Sequence, residues 1–246
     1  KIETHEEFEH AKSLGFTYFQ GYFFAKPQMI EAKSLTPAQF SLAELLYETS
    51  KVDLDLPKII SVFELDVNLA YKLLRYSNSA VFRRRTEIST IKQALVTLGK
   101  KELQKFLSVL FSAQLASNKP PELMATSLTR ARFTEGLAII SPKVSDSSVA
   151  FLTGMLSLID AILGDSMENA MAKLPLSAEI KDALISGEGI LAHVLDVARA
   201  YEVSNWETVN EELELLGIDE DKVPGIYAEA LQWSNEQMEF ILATQS

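Results

Sequence analysis

Leu69-Ala70-Tyr71-Lys72-Leu73-Leu74-Arg75-Tyr76-Ser77-Asn78-Ser79-Ala80, then Ile88-Ser89-Thr90-Ile91 and Ala94-Leu95-Val96-Thr97-Leu98-Gly99, is the stretch on which the fold turns. Asp66 can cap a helix from Val67 to Tyr76, which the Asn78-Ser79 pair ends in a turn. Thr90 with Gln93 forms a capping box for the next helix, and Gly99 is its matching stop. Beyond it Leu103, Phe106, Leu107, Leu110 and Phe111 recur at the spacing of a buried helical stripe. Between the two helices Phe82-Arg83-Arg84-Arg85 falls in a loop.

Reading outward, the same grammar holds on both sides. Thr36-Pro37-Ala38-Gln39 joins a capping box to a proline in the first turn, and Pro57 opens a further helix. Downstream, helices are predicted from Leu123 to Ile140, from Asn169 to Leu174, from Ala178 to Ser186 and from Ile190 to Glu202. The run from Val149 to Leu163 is apolar on all sides, as a single central helix would be. Ser204 with Glu207 caps another helix, and Val223-Pro224 introduces a last one to about Leu242. Trp206 and Trp233, near the C-terminus, are expected to anchor that end to the core. Ten to twelve helices without a repeat period make one irregular helical bundle. The first 27 residues follow a different pattern, with Lys1–Thr4 and Tyr18–Phe24 reading as strands around a helix that ends at Leu14-Gly15, and Pro27 closing the unit. The fold class is therefore mainly α, preceded by a short β-α-β lead.

Composition bounds the function. Hydrophobic residues make up 47 % and charged residues 23 %, values of a globular chain. There is no cysteine, which excludes disulfides, thiolate metal sites and thiol catalysis. A net charge of −11 argues against nucleic-acid and membrane partners. Residues 75–105 nevertheless carry +6, a basic island centred on Arg83, Arg84 and Arg85. Three adjacent guanidiniums suit phosphate or carboxylate recognition, and Asn78 stands at the mouth of that loop. The longest apolar run contains Asp160 and is too short to span a bilayer, so a cytoplasmic setting is expected. The start at Lys1, without Met or leader, reads as a piece cut from a longer chain.

Enzyme signatures are sparse. The nucleophile elbow, the Walker loop and the dinucleotide fingerprint are absent, and Gly187-x-Gly189 reads as a turn. Of three histidines, His5 and His10 are expected on different faces of the first short helix. His193 and Asp196 share one helix face at i and i+3, a ligand-compatible spacing that lacks the third ligand a hydrolytic metal centre generally needs.

Two resemblances follow from these residues. Ile2-Glu3-Thr4, Leu14-Gly15-Phe16, Phe19-Gln20-Gly21-Tyr22-Phe23-Phe24 and Lys26-Pro27 resemble the end of an EAL domain, a TIM-barrel-like fold that hydrolyses cyclic di-GMP with metal ions. The resemblance places Glu3 on that family's penultimate strand and makes Gln20 its active-site glutamine; cyclic di-GMP would then be reached only through the missing EAL region. From about Leu35 onward the chain is similar to the HDOD domain, through the opening stretch, Leu174-Pro175-Leu176-Ser177, and Tyr201-Glu202 before Trp206. The implied division is residues 1–34 and 35–246. HDOD domains resemble HD phosphohydrolases, whose adjacent His-Asp pair on a central helix binds metal. In Gly154-Met155-Leu156-Ser157-Leu158-Ile159-Asp160, Ser157 and Leu158 stand in that pair's place.

The expectation at this point is a bacterial cyclic di-GMP signalling protein whose helical domain is regulatory and protein-binding, with no enzyme activity, cofactor or metal. Its partners would be signalling proteins, or a second copy paired through the orphan strands. Two alternatives stay open: a nucleotide or anion sensor built on Arg83–Arg85, and a metal-dependent phosphohydrolase using His193 and Asp196.

Overall fold

The structure, a computed structural model, describes residues 7, 10–11, 13–16, 36–51, 53–79, 88–117, 119–174 and 176–245. Helix α1 (Pro37–Ser50) begins with the expected capping box: Gln39 N donates to Thr36 Oγ1, and Thr36 N donates to Gln39 Oε1. Asp55 caps α2 (Leu56–Leu65) and Asp66 caps α3 (Val67–Ser77), each carboxylate accepting from the backbone N–H three residues on. Helix α4 (Ile91–Leu115) is capped by Thr90 and broken inside at Gly99, where φ 68° and ψ 175° are open to glycine alone. Gly99 thus ends one helix and kinks the chain into a second, which joins the capped helix and the buried stripe read from the sequence.

Helix α5 (Pro121–Ile140) is the axis of the second half, packing on α4, on α6 (Ser147–Leu156), on α10 (Ile190–Glu202) and on α12 (Val223–Gln245). Short helices α7 (Ile159–Leu163), α8 (Met167–Ala172) and α9 (Ala178–Ile185) cover one side, and α11 (Trp206–Leu216) packs on α10. One buried apolar cluster runs from Leu42 on α1 to Ile241 on α12, so α4 and α12 join both halves over a common core. Arg75 donates to the Ala243 carbonyl and lies over Phe240, whose ring meets Tyr76 edge-on at 5.6 Å, closing the end of α12 onto α3.

Three expectations need correction. The central helix does not run unbroken from Val149 to Leu163: α6 ends at Leu156 and α7 starts at Ile159. Asn205, not Ser204, caps α11; Ser204 instead takes φ 59° in the preceding turn. Trp206 remains 53 % exposed against Tyr201, and only Trp233 reaches the core, edge-on to Phe151. No strand occurs among the described residues, and both expected strands lie outside them. In that first segment residues 7, 10, 11 and 13 are helical, and Gly15 has φ 85°. Among the described residues no helix is long and apolar enough to cross a membrane.

Candidate functional site

Gly154 decides how closely α6 approaches α5. A Cβ there would sit 2.7 Å from the Arg130 carbonyl oxygen, so only hydrogen fits. Thr134 Oγ1 locks the crossing, 2.8 Å from the Arg130 carbonyl and 2.9 Å from that of Ala150. This contact carries Ser157, at the end of α6, onto the Arg130 side chain. Arg130 Nη1 donates to Ser157 Oγ at 3.1 Å, while Ser157 Oγ donates to the Gly154 carbonyl at 2.8 Å. A hydroxyl turned back on its own helix, at the meeting with a guanidinium, is where that helix stops. Leu158 follows with φ −122° and ψ 17°, its side chain buried with Leu123 and Ala161.

Glu202 completes the centre. It is the last residue of α10, at the negative end of the helix dipole, where an unpaired carboxylate is disfavoured. Arg130 neutralises it with a two-pronged grip, Nε to Oε1 at 2.6 Å and Nη2 to Oε2 at 2.7 Å. Both side chains are more than nine-tenths buried. The guanidinium therefore ties α5, the end of α6 and the end of α10 together. Asp160 stands nearby on α7; burial raises its carboxyl above the ordinary range, against the pull of Arg199 and Arg130. Tyr201, Tyr227, Phe133 and Trp206 form an aromatic cluster beside Glu202, and burial, with Glu202 and Tyr201, raises the Tyr227 phenol. A second ionic group lies further along α5, where Glu135 accepts from Lys105 at 2.7 Å and from Arg132 at 2.6 Å.

The residues at this place do not fit the metal of HD phosphohydrolases. Ser157 Oγ is engaged on both sides, Leu158 has no donor atom, and the Glu202 carboxylate is already held by a fixed cation. His193 and Asp196 do not converge on it: His193 Nδ1 meets Glu212 at 2.7 Å, and Asp196 meets Arg199 at 3.3 Å. Among the described residues no three His, Asp or Glu side chains gather as a metal would require.

Asn78 has a definite role. Its Nδ2 donates to the Leu74 and Ile88 carbonyls at 2.9 and 2.8 Å, and its Oδ1 accepts from Ile88 N at 2.8 Å. The side chain thereby ties the end of α3 to Ile88. Arg83, Arg84 and Arg85 lie outside the described residues, as do Glu3 and Gln20. Sequence reasoning missed the Arg130–Glu202 pair. Its two signals were a charge amid an apolar helix stripe and an acid at a helix C-terminus, where a base is expected.

An irregular helical bundle defines the class, and the family match agrees: residues 36–201 match the HDOD domain, so the chain belongs to the HDOD domain family. Cyclic di-GMP phosphodiesterase CdgJ of Vibrio cholerae is 36 % identical over 236 residues, covering 96 % of this chain and 55 % of that protein. Uncharacterized protein YuxH of Bacillus subtilis is 32 % identical over 244 residues, covering 97 % of this chain and 58 % of that one. The chain thus spans somewhat more than half the length of these relatives. No solved structure matches it. The expectation that the protein is no enzyme is overturned by the Vibrio relative, which aligns over nearly the whole chain and is named for an enzymatic activity. That expectation rested on the missing His-Asp pair and on EAL catalytic residues expected outside the chain.

Proposed function

We propose that this chain belongs to a cytoplasmic protein that hydrolyses cyclic di-GMP, and that its helical domain controls that activity through protein contacts. The observation that carries the reading is the Arg130 guanidinium. It sets a permanent cation against Ser157, the residue that the resemblance puts in place of a metal-binding histidine. A centre tied on three sides is built to hold helices in register, and so to present surfaces to a partner. The phosphodiesterase activity is that of the Vibrio relative, and residues 1–34 are read as the end of an EAL domain contributing Glu3 and Gln20. The test is cyclic di-GMP hydrolysis by the intact protein. Gln20→Ala is expected to abolish turnover, whereas Arg130→Gln, checked for folding, is expected to keep turnover while changing its control. Complete loss in a folded Arg130→Gln protein would place the chemistry in the helical centre and end this reading.

A second reading is favoured by Asn78, which ties the end of α3 to Ile88 on either side of the sequence that carries the three arginines. Titration calorimetry with cyclic di-GMP on wild type and on an Arg83→Ala, Arg84→Ala, Arg85→Ala variant tests it. Absence of heat in the wild type removes it.

A further inference from the structure

Helices α1 and α3 pack on α4 and on α2 rather than on each other, and a cavity of about 290 Å³ lies in the gap between them. Leu42, Leu69 and Leu110, all buried, form its floor, and Val62 and Leu65 close the end at the α2–α3 corner. Four polar side chains edge it: Glu44 on α1, Asn68 and Lys72 on α3, and Gln114 on α4. None of these four side chains makes a hydrogen bond or an ion pair with a described residue. Asp66 also borders the cavity, but its carboxylate is engaged in capping α3. An apolar floor with a few unsatisfied polar groups at its mouth is the form of a small-ligand site. Its volume, at the low end of the ~300–1,000 Å³ of such sites, limits the occupant to a small molecule.

Charge and hydrogen-bonding type select that occupant. The α1 wall offers a carboxylate and the α3 wall an ammonium. A ligand of one sign would satisfy one of them and oppose the other, whereas a dipolar molecule satisfies both. Asn68 and Gln114 are amides, each with donors and an acceptor, and so complement a peptide group. The leucine floor suits aliphatic side chains. We infer that this groove binds a short aliphatic peptide with free ends, its α-ammonium toward Glu44 and its α-carboxylate toward Lys72. The site shares no residue with the Arg130 centre or with Arg83–Arg85, and adds a separate ligand input to the domain.

Titration calorimetry of the chain with the dipeptide leucyl-leucine reads the binding, with its N-acetylated and C-amidated forms each removing one charge. The dipeptide is expected to bind, and each blocked form at least about tenfold more weakly. Glu44→Lys and Lys72→Glu, at the rim and checked for fold by circular dichroism, are each expected to cause a loss of similar size. The double variant exchanges the two charges and is expected to recover binding, with the peptide turned end for end. Absence of heat with leucyl-leucine at millimolar concentration overturns the inference. So does binding indifferent to both blocked forms or to both single substitutions, and so does a double variant no better than either single one.

Discussion

Arg130 and Glu202 lie 72 positions apart and share one buried, two-pronged bond. Removing either charge strands the other in a place with little water, a loss of about 3–5 kcal/mol when one partner of a buried pair is deleted. Arg130→Ala should therefore lower unfolding free energy by about that amount in urea titrations. Arg130→Met with Glu202→Leu should recover much of it, because no unpaired charge remains. A single substitution with no measurable effect would show that the pair holds nothing together. Asp165 is an acid-sensitive residue: hydrogen bonds from Lys173 Nζ at 2.7 Å, Asn169 Nδ2 at 2.8 Å and Ser166 N at 2.9 Å accompany a pKa lowered from 3.8 to about 2. A carboxyl depressed in the folded state stabilises above its unfolded pKa, and that contribution fades as pH falls from about 4 toward 2. Thermal melts between pH 2 and 7 should show this loss in the wild type, and a shallower one in Asp165→Asn. Asp160 has the opposite sign. Its raised pKa means that the folded chain holds this proton more tightly, so its contribution grows as pH falls.

At the scale of elements, caps are local and the sequence shows them: Thr36, Asp66 and Thr90 each cap the helix expected of them. Gly99 was legible as a stop, but not as a joint inside α4. Its φ 68°, ψ 175° belongs to a region that a side chain enters at a cost of about 1–3 kcal/mol, and nothing lies within 4 Å of an added Cβ. Gly99→Ala should thus destabilise by backbone strain alone, and calorimetric melting should fall accordingly; an unchanged melting temperature would show that the joint relaxes freely. The break at Ser157-Leu158 was not legible, because residues 149–163 are apolar enough to pass for one helix. What stops that helix comes from α5, through the guanidinium of a residue 27 positions earlier.

For the molecule as a whole, α12 decides how the halves meet. It packs along α5, and its last turn is held on α3 by Arg75, Tyr76 and Phe240. The same α3 carries the Asn78 clamp at its end and the exposed Val67–Tyr71 row on its outer face. A partner on any of these features therefore acts on an element joined to the common core.

By itself the sequence determined the helical class, most helix starts and the HDOD family, since these rest on local patterns and side-chain identity. Only the tertiary structure decided that Arg130 joins Glu202 to Ser157, and that Asn78 ties the end of α3 to Ile88 rather than standing as a free contact. Each of these depends on which distant side chains meet. That information belongs to the packing of the helices, which local pattern does not encode.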